Sequence, residues 1–154
     1  MRRIVAALWV LCGLGTLAGC ATGAVEVPVP SPGPDVARLC QALHDRLPGK
    51  VHGLSRRETR PTSELTAAWG TPAIALRCGV PRPPAMLKTS ELVTISGIDW
   101  FPQPPNRPVT FTELGRQAYV EVTVPAKYAP QGDVLLELTD EIKAAIPAKP
   151  AGEL

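Results

Sequence analysis

The sequence predicts an α+β domain: a single antiparallel sheet of four to five strands with an N-terminal and a C-terminal helix packed on one face. Three observations predict it. An amphipathic stripe at helical spacing opens the domain, a second closes it, and between them run short segments with period-two alternation. The 154 residues suit one domain. Only 5% are aromatic, so the core must be mostly Ala, Val, Leu and Ile, while 18 Pro and 13 Gly demand many turns and at least one extended stretch.

The first helix is expected over residues 35–47. Asp35 serves as N-cap, Val36, Leu39, Cys40, Leu43 and Leu47 share one face, and Pro48-Gly49 stops the run. Residues 51–68 show no clear period; Arg56, Arg57 and Arg60 cluster there, which could meet anionic headgroups or a wall polymer, but Glu58 and Glu64 interleave and the stretch reads as a solvated loop. Trp69-Gly70-Thr71-Pro72 is a turn, followed by a strand over 73–79 with Ile74, Leu76 and Cys78 on one face and Arg77 on the other. Residues 92–98 read as a further strand with Gly97 as a bulge, and Asp99 as a turn residue after it. The clearest β signal covers 109–124. A two-residue turn at Gly115-Arg116 would place Phe111 opposite Val120 and Val109 opposite Val122. The second helix is expected over 133–146, with Val134, Leu135, Leu138, Ile142 and Ile146 as its stripe and Pro147 as its stop. The sheet face carrying Arg77, Thr110, Thr112, Tyr119, Glu121 and Thr123 should be the wetter one.

Ahead of the domain stands an export address. Arg2 and Arg3 precede an uncharged apolar run that ends in Leu17-Ala18-Gly19-Cys20. The run is too short to span a bilayer. Its end matches a bacterial lipobox, in which small residues let the signal peptidase close over the bond and the Cys20 thiol takes a diacylglyceryl group. Residues 1–19 are therefore expected to leave as a signal peptide. Residues 20–34 would form a lipidated cysteine and a Pro-rich extended spacer of up to about 40–50 Å, residues 35–147 the globular domain and residues 148–154 a disordered tail. Loss of Arg2 and Arg3 changes 16 basic against 14 acidic residues into 14 against 14. A neutral mature chain gives no electrostatic reason to expect nucleic acid as a partner.

Cys12 departs with the signal and Cys20 is the lipidation site, which leaves Cys40 and Cys78. A pair on two apolar faces in an oxidising compartment is expected to form a disulfide. The competing arrangement, a metal held by Cys40, His44 and Cys78, lacks a fourth ligand and a C-x-x-C pair, so no metal or other cofactor is expected. No nucleophile elbow, phosphate loop, zinc-protease or haem motif occurs. The candidate ligand or partner surface is Arg77, Asp99, Trp100, Arg116 and Tyr119: a deep cleft uniting Asp99 with Arg77 or Arg116 would suit an enzyme, and a groove lined by Trp69, Trp100 and Tyr119 a carbohydrate or lipid ligand.

The stretches AAWGTPAIALRCGVPRP, GIDWF and GRQAYVEVTVP, together with LPGKVHGLSRR and the helix bearing Cys40, resemble an actinobacterial lipoprotein family known as domain of unknown function 3515. The resemblance covers about residues 40–146 and implies an exported or lipid-anchored protein with two matching cysteines. It implies no catalytic residue. The expected function is that of a cell-envelope lipoprotein on the outer face of the cytoplasmic membrane, a non-enzymatic binding or scaffold module. It would meet the membrane through its anchor and an envelope protein or wall component through its domain. A catalytic or accessory component of envelope assembly, and a small ligand-binding lipoprotein, are the alternative readings.

Overall fold

The computed structural model describes residues 23–107, 109–150 and 152–153. The expected signal peptide and the expected lipidation site Cys20 lie outside the described residues. In chain order the elements are β1 (Val25–Glu26), α1 (Pro34–Arg46), β2 (Lys50–Val51), β3 (Leu54–Arg57), β4 (Thr59–Arg60), β5 (Thr66–Trp69), β6 (Ile74–Cys78), β7 (Val93–Ile95), β8 (Ile98–Gln103), β9 (Thr110–Glu113), β10 (Val120–Thr123) and α2 (Gln131–Ala145), with a 3-10 turn at Ala126–Tyr128 before α2.

The architecture is mostly β, and it corrects the expected sheet of four to five strands. One antiparallel sheet has eight strands in the order β2-β3-β5-β6-β10-β9-β8-β7, and β1 pairs with β4 in a second, parallel sheet of two. The extra strands come from two places. The loop expected over 51–68, with Lys50 before it and Trp69 of the expected turn after it, holds β2, β3, β4 and β5, of which two are only two residues long and β3 is the polar LSRR. Such segments carry too few apolar residues to show a period. The stretch expected as one strand with a bulge is a hairpin instead: Ser96 and Gly97 have φ of 46° and 74°, the positive pair that a tight type I′ turn requires, and Asp99 lies within β8.

The β9–β10 pairing also differs from the expected register. Val120 faces Glu113 and Val122 faces Phe111, a slip of two residues that keeps every side chain on its face. The connection spans Leu114 to Tyr119 rather than two residues, because it is held from outside. Gln117 N–H donates to Pro147 O, Lys149 N–H to Gly115 O, and Arg116 bridges to Ala148. The start of the segment expected as a disordered tail is thus bonded to the domain.

The core sits where α1 and α2 meet one sheet face. Cys40 and Leu43 of α1 and Val134, Leu135, Leu138 and Ile142 of α2 join the alternating sheet residues Trp69, Ile74, Leu76, Trp100, Val120 and Val122 in one buried cluster. α2 reaches both edges of the sheet: it packs on β2 and on β7. Lys143 Nζ donates to Ser96 O in one hairpin turn, and Glu137 accepts from His52 N–H at 2.8 Å in the other. A right-handed twist over eight strands permits this curl around a single helix. On the opposite face a smaller cluster of Met86, Phe101 and Leu114 is covered by Leu92 and Tyr119.

The disulfide expected from the cysteines is present. Cys40 and Cys78 are joined, with Cα atoms 5.5 Å apart, and tie α1 to the central strand β6. The Pro-rich segment, expected as a free spacer, lies on the domain from Gly23 onward. Val25 N–H donates to Glu58 O at 2.8 Å and Val27 N–H to Arg60 O at 3.0 Å, Val27 is buried, and Arg77 Nε donates to Pro28 O at 2.9 Å.

Candidate functional site

A cleft of about 600 Å³ opens beside β3 and β4, lined by His44, Arg56, Arg57, Glu58, Thr59, Thr62, Ser63, Glu64, Thr66 and Ala67. Strand alternation explains its floor. Arg56 is the register partner of Trp69, so its side chain falls on the core face at the end of the strand, and its guanidinium lies 5.6 Å from the Trp69 ring centroid. From there Nη1 donates to Leu47 O at 3.3 Å, satisfying a carbonyl left over where α1 ends. Nη2 stands 3.1 Å from His44 Nε2 in the last turn of α1.

This setting favours the neutral form of His44. Burial, and secondly the Arg56 charge, hold its pKa below the ordinary 6.5, overriding the raising effects of Glu64 and Asp45. A neutral imidazole can accept the guanidinium N–H. Burial alone also lowers the Arg56 pKa from its ordinary 12.5. The ion pairs among the described residues are Arg38–Asp35 and Arg77–Glu121, so Arg56 lines the cleft without a carboxylate partner. The rim is stiffened by its own hydroxyls. Thr59 and Thr66 hydroxyls meet at 3.1 Å, Leu65 N–H donates to Ser63 Oγ at 3.1 Å, and Thr66 Oγ1 donates to Ser63 O at 3.3 Å.

A second opening of about 610 Å³ is bordered by Pro32, Val36, Gly79, Tyr119 and Lys149. There the Lys149 ammonium lies 4.2 Å from the Tyr119 ring centroid and donates to its hydroxyl at 2.5 Å.

The five residues proposed as a surface do not share one site. Arg77 pairs with Glu121 at 2.9 Å and holds Pro28. Asp99 accepts from Thr94 Oγ1 at 2.6 Å on β8, three strands away from Arg77 in the sheet order. Trp100 is fully buried, as is Trp69, so neither lines a groove. Arg116 donates to Ile146 O at 2.6 Å, and together with Tyr119 it belongs to the loop that grips the C-terminal segment. Among the described residues no three His, Cys, Asp or Glu side chains gather as a metal site, and no helix is long and apolar enough to cross a membrane.

Two features of chemical interest did not emerge from the sequence reading. One is the contact that sets Arg56 apart from its cluster and joins it to His44. The other is Glu113, 1% exposed, whose Oε2 has no hydrogen-bond partner. Glu113 lies in register with Val120 on one side and Trp100 on the other. Burial drives its pKa up to about 7 against the lowering influence of the Gly115 N–H, Arg116 and Lys149; Asp99 raises it further. The signal was present in the alternation, since Glu113 continues the apolar face of Phe111.

The family described as Protein of unknown function (DUF3515) has a model that matches residues 4–151, which includes the disulfide, the Arg56 cleft and both helices. The chain belongs to this family. No curated protein and no solved structure matches it. Membership in DUF3515 agrees with the resemblance drawn from the sequence and assigns no activity.

Proposed function

We propose that this DUF3515 member is a cell-envelope lipoprotein on the outer face of the cytoplasmic membrane, a non-enzymatic module that binds an anionic group of an envelope component in the Arg56 cleft. The lipobox ending in Cys20 supports the anchor, and the Cys40–Cys78 bond fits an oxidising compartment. The observation that carries the binding reading is Arg56. Arg56 is a half-buried guanidinium that lines the cleft without a counter-charge, and a ligand carboxylate or phosphate would supply one. Neutral His44 and the hydroxyls of Thr62 and Ser63 would add neutral hydrogen-bonding partners. The strongest acid–base candidate, Glu113, is sealed from solvent, which favours binding over catalysis.

Inorganic phosphate titrated into the full chain in neutral detergent tests this reading. At ten times Kd the linkage relation gives about 1.4 kcal/mol, or about 5 °C in Tm for a chain of this size. The expected result is a phosphate-dependent rise that is absent in Arg56→Gln; the shift, not the absolute Tm, is the readout. A wild-type Tm that ignores phosphate, or an equal shift in the variant, overturns it.

A further inference from the structure

The docked Pro-rich segment fixes how far the domain can stand from a lipid anchor. Gly23 O accepts from Arg57 Nη2, and the β1–β4 ladder follows at once with Val25 opposite Thr59 and Glu26 opposite Arg60. Further along, Arg77 holds Pro28, and Gly79 at φ +83° lies so close to Pro32 that a Cβ there would sit 2.7 Å from Pro32 Cγ. The segment is therefore attached along its length. Only Ala21 and Thr22 stand between Cys20 and Gly23. Three residue steps reach at most about 11 Å, close to the depth of one headgroup layer, about 5–8 Å.

We propose that the anchored chain holds the Gly23 end of its domain, formed by Arg57, Glu58 and the Gly70–Thr71 turn, against the headgroup layer of its own membrane. Arg57 unites this surface. Besides Gly23 O it donates to Gly70 O at 3.0 Å and to Thr71 Oγ1 at 2.8 Å. Arg57 and Glu58 also line the Arg56 cleft, so one side of its rim belongs to this surface. The charges of this surface are mixed, with Arg57 and Arg60 beside Glu26 and Glu58, so the short anchor and not a polybasic patch sets the orientation. This inference rests on the lipoprotein reading.

The test uses the full lipidated chain in phosphatidylglycerol–phosphatidylcholine vesicles containing a lipid with a nitroxide on its headgroup. A fluorophore is placed at Glu58→Cys, exposed beside β1, or at Gln117→Cys, exposed in the loop at the other end of β6. Glu58 follows Arg57, the partner of Ala68, and so stands level with Leu76; the loop is separated from it by three inter-strand spacings, about 14 Å, and by the last residues of β6. Quenching at Glu58→Cys is expected to exceed that at Gln117→Cys at least threefold. Twelve Gly/Ser residues inserted between Thr22 and Gly23, spanning about 19 Å on average, should abolish the difference. Equal quenching at both positions in protein that sediments with the vesicles and carries acyl label overturns the surface and leaves the lipoprotein reading standing. Protein without acyl label, indistinguishable from Cys20→Ser, overturns both.

Discussion

Glu113 shows how a single residue couples this fold to pH. In the unfolded chain its carboxyl titrates near 4.5; in the folded chain burial raises that to about 7. Between those values the folded state keeps a proton that the unfolded state has lost, so stability falls as pH rises through this window and levels off above it. The full span corresponds to about 3 kcal/mol. Glu113→Gln, which keeps the shape and removes the charge, is expected to match the wild type near pH 5 and to exceed it by about 2–3 kcal/mol at pH 8 in urea unfolding. A wild-type-to-variant difference that is the same at both values would refute this account. At the same scale the sequence was uneven as a guide. The alternation through Ile74, Leu76 and Cys78 and through Val120, Val122 and Val124 placed core residues on their proper face. Trp100 is a candidate surface residue in the sequence because exposure of an aromatic ring cannot be read from one chain, and it is buried, as is Trp69. Arg56 was hidden for the opposite reason: its setting depends on α1 returning His44 and Leu47 to the end of β3, a tertiary event.

At the scale of elements, legibility followed length. Both helices and β6 were visible because each repeats its period several times. β2 and β4, two residues each, offer no repeat at all. Their neighbourhood did contain a local cue. His52-Gly53 and Ser96-Gly97 are both Xaa-Gly pairs flanked by branched apolar residues, and all four have positive φ. They turn the β2–β3 and β7–β8 hairpins, and a search for such pairs would have found both. The parallel pair β1–β4 joins residues 34 positions apart, as the Arg57–Gly23 bond does, and no local pattern announces it. Its attachment is testable through Gly79. Gly79→Ala combines an unfavourable φ with a contact against Pro32. It is expected to cost about 1–3 kcal/mol and to speed proteolytic cleavage within residues 27–32, measured by mass spectrometry. An unchanged cleavage pattern would mean that Pro32 is not held there.

For the molecule as a whole, the disulfide and α2 do the joining. Cys40–Cys78 closes a separation of 38 residues, which the loop-entropy relation values at about 4 kcal/mol. Replacing both cysteines by Ala should lower Tm by about 15 °C in calorimetry; a Tm within 2 °C of wild type would show that core packing alone sustains the fold. The central pairing of β6 with β10 joins residues 44 apart, Arg77 and Glu121, so the sheet cannot be completed until most of the chain is available. α2 comes later still, and it is the element that touches both outer strands. A strand edge without cover is a template for another copy of the same chain. Residues 131–145 clasp both ends of the sheet from its core face and leave the edge of β7 open, with Val93 45% exposed. A chain that stops short of them would uncover that apolar face beside an open edge, and its fate would be set by concentration, as a building block for aggregates.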